Sequence, residues 1–259
     1  VLENLQIALE QLQTAPFVVR GEGERPAVAA ARLAARLPAN GEGRLLQATR
    51  LTLPEPAQQA FVADTAVNYV WQSFNAPESG HPDAAAAAIL AKMLSQEVLH
   101  PSIREKGGAY GGGLRYQSGA LSFFSYRDPR LAGTLDDFQR AIDWASSGRL
   151  SEKGLNEAIL SVLRDADPPG SPHALAKRAW RRACQGWTRE QQARYREQVR
   201  GTTRDDVVRM AQTWLAGSPS SRVAFTHPGR SQEAERCGLA VEPLFPAQAP
   251  AASRRNSPA

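Results

Sequence analysis

Apolar positions recur along this chain in two periods, and the periods divide it into elements. Leu2, Leu5, Leu9 and Leu12 fall at helical spacing and predict an amphipathic helix over 1–13. Pro16 before Phe17-Val18-Val19 predicts a turn into a short strand. After a polar, glycine-containing loop, Pro26 suits the first position of a helix whose apolar face is Val28, Leu33 and Leu37. Residues 45–53 read as a strand closed by Pro54 and Pro56. Residues 64–74 read as another. Val67, Tyr69 and Trp71 alternate there with Asn68 and Gln72, as expected of a sheet with one face against helices.

A long helix follows. It opens at His81-Pro82-Asp83 and contains five consecutive alanines, strong helix formers. Its buried face continues through Ile89, Met93, Leu94 and Val98 until Pro101 interrupts it. Ser102 and Glu105 have capping-box spacing and predict a short new helical turn. Leu114 to Gln117 and Ala120 to Tyr126 read as a hairpin turning at Ser118-Gly119. Asp128 reads as an N-cap and Pro129 as the first residue of a helix with Leu131, Leu135, Phe138 and Ile142 on one face. Further helices are expected over 151–166, 171–185, 188–199 and 203–215, with Thr188 and Gln191 at capping-box spacing, then a last strand over 222–226. From 229 the pattern fades into a proline-containing tail.

The elements do not alternate strand with helix. That order favours an α+β, two-layer domain in which a mostly antiparallel or mixed sheet packs against several helices. The expected organisation is a leading helix over 1–15, compatible with the end of a preceding domain, an α+β domain over 16–228, and a loosely ordered tail over 229–259.

Composition changes this picture little. With 259 residues and a 42% hydrophobic fraction the chain can bury a sizeable core. No apolar run reaches the roughly 18 residues of a membrane span, so a soluble protein without a membrane partner is expected. Val1-Leu2-Glu3-Asn4 is neither a methionine start nor a signal peptide, so the chain reads as a piece of something longer. The formal charge is +5, from 31 basic and 26 acidic residues. Arg178, Arg181, Arg182, Arg189, Arg194, Arg196 and Arg200 read as a solvated helix face. No nucleic-acid motif accompanies them, and no nucleic-acid partner is expected. The arginine and alanine bias is what a GC-rich bacterial genome produces, while the compartment stays open. Cys184 and Cys237 are too few for a disulfide scaffold or a zinc finger.

Most catalytic chemistry is missing. His81, His100, His173 and His227 form neither H-x-x-E-H nor H-E-x-x-H, and no metal is assigned to this chain. There is no G-x-S-x-G, no Walker loop and no G-x-G-x-x-G. What remains is the stretch Ser102 to Gly113, in which Arg104 and Tyr110 flank the pair Gly107-Gly108 and sit six positions apart.

Ile103-Arg104-Glu105-Lys106-Gly107-Gly108-Ala109-Tyr110-Gly111, after an alanine-rich helix, resembles the C-terminal half of the pitrilysin/insulinase family of zinc metallopeptidases, in its presequence-protease-like branch. Val67-Asn68-Tyr69-Val70, Ser125-Tyr126-Arg127-Asp128-Pro129 and Asp165-Ala166-Asp167-Pro168-Pro169 agree in order, so the resemblance spans roughly 60–215. It implies a metallopeptidase half-repeat of the mitochondrial-processing-peptidase type. It also implies a zinc ion and a glutamate base in an N-terminal half of the parent protein, which would be this chain's partner around an unfolded peptide substrate. Arg104 and Tyr110 would then contact the scissile carbonyl, and Gly107, Gly108 and Gly111 would let the peptide backbone approach. Independently, a guanidinium and a phenol are both donors suited to a carbonyl that gains negative charge. Lacking zinc ligands and base, this chain alone is expected to be inactive. The alternatives are a non-catalytic structural or partner-binding subunit and a basic binding module.

Overall fold

The computed structural model describes residues 56–245 apart from 118, 185 and 186, together with Val28 and Ala31. The two helices and two strands expected before Pro54 therefore lie outside the described residues, apart from those two positions. The chain divides into two compact units, Pro54–Arg164 with Glu197–Ala259 and Asp165–Arg196 with Val1–Leu53.

The larger unit is built on a sheet. Its strands are β1 (Gln58–Val62), β2 (Asn68–Asn75), β3 (Gly111–Gln117), β4 (Ala120–Asp128), β5 (Ser220–Thr226) and β6 (Ala240–Pro243), in the spatial order β3-β4-β2-β5-β1-β6. β2 pairs antiparallel with β4 and β5, while β1 runs parallel to β5 and β6, so the sheet is mixed. The expected hairpin is β3-β4, and Gly119 in its turn has φ +86°, a value that only glycine adopts freely.

Alternation sets the two faces. Val70, Phe74, Leu121, Phe123 and Ala224 point to one side and are buried; Tyr69, Trp71, Phe124, Tyr126 and Phe225 point to the other and are wholly or partly exposed. The buried side meets helix α1 (Ala84–Met93), its continuation Leu94–Lys106, and α2 (Ala132–Ser146). Eight of ten residues of α1 are buried, four of them alanines in its first turn. Their small side chains let α1 lie close to β3 and to the later helix of this unit, α6 (Arg204–Trp214). Between them come α3 (Glu152–Ala166), α4 (Pro172–Cys184) and α5 (Arg189–Gly201). The fold class is thus the α+β arrangement read from the sequence.

Three local expectations are corrected. Pro101 does not end the long helix: the chain runs on from α1 as a π-helix over Leu94–Lys106. In an α-helix the proline ring strikes the carbonyl four residues back, and the wider π register moves that carbonyl aside. Ser102 accordingly caps nothing, and its hydroxyl donates to the Leu99 carbonyl at 3.4 Å. Asp128 is no N-cap either. It is the buried last residue of β4, and α2 begins only at Ala132. Finally, Ser231–Arg236 forms α7 and Ala240–Pro243 the edge strand β6 within the span expected as a loose tail, of which residues 246–259 lie outside the described residues. These segments are too short and too polar to show a period.

Among the described residues two capping boxes are present. Thr188 and Gln191 exchange bonds of 2.7 and 3.2 Å at the start of α5. At α6, Thr203 Oγ1 accepts from the Asp206 amide at 3.2 Å, and the Asp206 carboxylate accepts from the Thr203 amide at 3.0 Å. Thr203→Ala is expected to lower stability by about 0.5–2 kcal/mol, measured as a shift in a denaturation midpoint. The Thr203 hydroxyl and amide, with Arg209, hold the Asp206 carboxyl below the usual carboxylate range. Its contribution is therefore full above about pH 4 and is lost as pH falls through the lowered value, and the Thr203→Ala difference should shrink in acid.

Candidate functional site

The π-helix delivers Arg104 in its last turn, where a cation is favoured by the helix dipole. Gly108 ends the helix with φ +79°, and the amides of Gly108 and Ala109 donate to the carbonyls of Arg104 and Ile103, each at 3.1 Å. This reversal sends the chain through Tyr110 into β3. Arg104 is exposed. Its guanidinium can only donate, so His100 Nε2 accepts from it at 3.2 Å. The other ring nitrogen, Nδ1, faces Glu105 Oε1 at 3.3 Å.

Tyr110 is 70% exposed and yet fixed in two ways. Its amide donates to the Arg127 carbonyl at 3.4 Å. Its ring meets Tyr126 edge-on, 5.7 Å between centroids, and Tyr126 meets Tyr69 in the same manner at 5.4 Å. The Arg127 carbonyl is aimed by a bulge. β2 and β4 shift register between Asn68 and Val70, and Arg127 takes φ +52°, the one positive value among the described non-glycine residues. From its short sequence pattern this segment reads only as a strand end. The bulge depends on pairing with β2, 60 residues away, and has no local signal.

The tyrosines continue an aromatic row on the same sheet face. Trp71 stacks on Phe124 at 5.6 Å, and Arg115 covers Phe124 with its guanidinium carbon 4.2 Å from the ring centre. Phe61 stacks on Phe225, also at 5.6 Å. The nearby edge of β3 is partly closed. Ser95 Oγ accepts from the Leu114 amide at 2.9 Å, and its one proton is shared between the carbonyls of Ala91 at 2.7 Å and Leu114 at 3.0 Å, so the amide that would pair with another strand is taken.

The glycines separate by role. A Cβ on Gly107 would lie 2.0 Å from Arg130 Nη2 and 2.4 Å from the Ile103 carbonyl oxygen, so its absence makes room for Arg130. Gly112 likewise accommodates Ile103. Gly108 serves the turn by its φ. Of the three glycines expected at a peptide, only Gly111 has open space where a side chain would project.

Beneath the loop lies a buried polar network. Arg130 Nη2 donates to Asp137 Oδ2 at 2.8 Å and to the Ser102 carbonyl at 3.3 Å, while Arg140 also bonds Asp137. Asp128 accepts from the Thr134 hydroxyl at 2.6 Å and from the Arg130 amide at 2.9 Å. Asn68 donates to the Asp128 carbonyl and accepts from Thr226. The network ties the Arg104 helix end to α2, β2 and β5. Arg130 is the residue that sequence reasoning missed here.

Among the described residues no three His, Cys, Asp or Glu side chains are grouped to hold a metal ion, and no helix is long and apolar enough to cross a membrane.

Similarity to known proteins agrees with this geometry. The family model described as the PreP C-terminal domain matches residues 58–218. The mitochondrial presequence protease of Xenopus laevis is 37% identical over 157 residues, covering 60% of this chain and 15% of that protein. That of Eremothecium gossypii is 38% identical over 178 residues, 67% of this chain and 18% of that protein. The chain thus spans less than a fifth of the length of these relatives. Among solved structures, a protease from Helicobacter pylori superposes with a TM-score of 0.67 at 14% identity, covering 81% of this chain and 53% of that one. The peptidase M16 inactive domain from Pseudomonas fluorescens superposes with a TM-score of 0.64 at 16% identity, covering 86% of this chain and 53% of that one. At such identities the structures speak for the fold alone. The family match covers more than half of the sequence and includes the whole Arg104–Tyr110 loop, so this chain belongs to the PreP C-terminal domain family.

Proposed function

We propose that this chain closes the substrate chamber of a zinc-dependent oligopeptidase, with Arg104 and Tyr110 donating to the backbone of an extended peptide near the scissile bond. The observation that carries the reading is Tyr110. A phenol that is 70% exposed is held by its own amide and by Tyr126, next to the helix end bearing Arg104. A large side chain has little reason to be fixed so far into solvent unless something is to meet it. The Trp71, Phe124, Tyr126 and Phe225 face beside it offers apolar and π contacts to peptide side chains. Because Ser95 occupies the β3 edge at Leu114, the peptide is gripped there by side chains and not by strand addition.

The described residues do not fit zinc, and no chemical step is drawn through it. On this reading the metal and the general base belong to the N-terminal half of the parent protein, which is also this chain's partner. The part played here is binding and polarisation. Arg104 stays charged at any working pH, and Tyr110 presents an O–H donor. Each preorganised donor of that kind is worth ~10²–10³ in rate.

The test uses the full-length parent protein. Arg104→Ala and Tyr110→Phe are each expected to lower kcat/KM for peptide cleavage by about 10²-fold or more, with zinc content and melting temperature unchanged. Wild-type turnover in both variants would remove the assignment and favour a structural, partner-binding role.

A further inference from the structure

The arginine run that reads as a solvated face divides: Arg181, Arg194 and Arg200 are exposed as expected, and the other four line a cavity. Within the unit containing Asp165–Arg196, α4 and α5 turn Arg178, Arg182, Arg189 and Arg196 toward one cavity of about 370 Å³, together with Asp167 and Gln192. The spacing explains the convergence: Arg178 and Arg182 are one turn apart on α4, and Arg189, Gln192 and Arg196 share a face of α5.

The four cations divide into two kinds. Arg182 and Arg196 brace the walls. Arg196 Nη2 reaches Asp167 Oδ2 at 2.8 Å and its Nε donates to the same oxygen at 2.9 Å, while Arg182 lies 3.5 Å from the other carboxylate oxygen. Arg182 also donates to Gln192 Oε1 at 2.9 Å and to the Ala166 carbonyl at 2.5 Å. Partial burial raises the Asp167 carboxyl, but the bonds and charges of Arg196 and Arg182 outweigh it and hold the group below the usual carboxylate range. The remaining two are Arg178 and Arg189. Arg178 spends one nitrogen on the Pro168 carbonyl at 2.8 Å, and no carboxylate is bonded to it or to Arg189 among the described residues. Among the described residues that line the cavity, four guanidinium groups thus face one carboxylate, while the Glu190 carboxylate beside Arg189 lies outside the lining and offsets part of the excess positive charge.

From this the geometry points to a binding site for a small multivalent oxyanion, one carrying two or more phosphate or carboxylate groups. Planar guanidinium groups with unspent N–H pairs bind such groups two bonds at a time. The cavity is already built, because Asp167 and Gln192 fix Arg182 and Arg196 before any ligand arrives. An anion would also relieve the mutual repulsion of Arg178 and Arg189. The site does not rest on the peptidase reading: its residues belong to a different unit from Arg104 and Tyr110.

Isothermal titration of this chain with pyrophosphate and with citrate, at ionic strength held constant with sodium chloride, tests it. At least one of the two is expected to bind saturably with a Kd below about 1 mM. Pyrophosphate alone would identify phosphate as the group recognised, citrate alone carboxylate, and both an oxyanion site of broad choice. Combining Arg178→Gln with Arg189→Gln should weaken binding at least about tenfold, while Arg204→Gln, outside the cavity, leaves it unchanged. Melting temperature is followed throughout, and if the double variant loses its fold the two single variants are read instead. No saturable binding of either anion, or binding that the cavity variants leave intact, would overturn the assignment.

Discussion

Phe123→Ala is expected to destabilise the sheet-bearing unit by about 3–5 kcal/mol. Phe123 is fully buried on β4 and joins the two layers. Its ring lies 6.0 Å from Phe74 on the neighbouring strand and 5.3 Å from Phe138 on α2. Truncation removes the transfer free energy of an aromatic ring and leaves a cavity. β2 on one side and α2 on the other are fixed by their own partners and cannot collapse into it. Urea denaturation of the variant against wild type measures the loss. A change below about 1 kcal/mol would mean that the layers can close over the gap, contrary to the packing described. Trp71→Ala, on the exposed face, removes a comparable ring and should cost much less, because its partner Phe124 stays covered by Arg115.

Arg130→Ala is expected to be the most damaging polar substitution among the residues under the Arg104–Tyr110 loop. Asp137 is buried, and Arg130 is one of its two cationic partners. Removing one partner of a buried ion pair generally costs about 3–5 kcal/mol, since the other charge is left in a poor solvent. Arg140 remains beside Asp137, so the loss should fall toward the lower end of that range. The Arg130 guanidinium also bonds the Ser102 carbonyl and fills the space above Gly107. The π-helix end therefore loses an anchor together with the charge. Gly107→Ala attacks the same contact from the other side. Its Cβ meets the Ile103 carbonyl, a backbone atom with no freedom to swing away, and the Arg130 nitrogen. The two losses should be less than additive in the double variant, because each alone already breaks the Arg130–Gly107 packing. Full additivity in denaturation measurements would show that the residues act separately. On the proposed function, both substitutions are also expected to lower kcat in the parent protein through misplacement of Arg104 and Tyr110.

The helices α1 to α6 were legible because each carries its own evidence, and the short, polar α7 was not. Leu135, Phe138, Ile142 and Ala145 mark the face of α2 that is buried, and Thr188-Gln191 marks the start of α5 with bonds made within four residues. The strand period of β2 was legible too, but its faces were not: Tyr69 and Trp71 lie on the exposed side, and Asn68, Val70 and Phe74 on the buried one. The loop Arg104 to Tyr110 stood out by glycine content and by resemblance to a family whose model does cover it. The π-helix through Pro101, the late start of α2 and the strand β6 were not legible. The last two answer to neighbours distant in sequence: β6 exists only because β1 offers an edge, and Asp128 is held as a strand residue by Asn68.

Local order between β2 and β5, then, is what the amino-acid sequence determined by itself: where most helices and strands run there, the buried faces of the helices, and that Arg104, Tyr110 and the glycines lie together in one loop. Those properties come from side-chain periodicity, capping and backbone freedom, which act over a few residues. The tertiary structure decided what each member of the loop does. It gave Gly107 to Arg130, aimed the Arg127 carbonyl at Tyr110 through a bulge against β2, and left Gly111 open. It also turned four arginines of a run of seven toward one cavity and left the others exposed. Pairing and packing between residues far apart along the chain set these outcomes, and no local pattern encodes them.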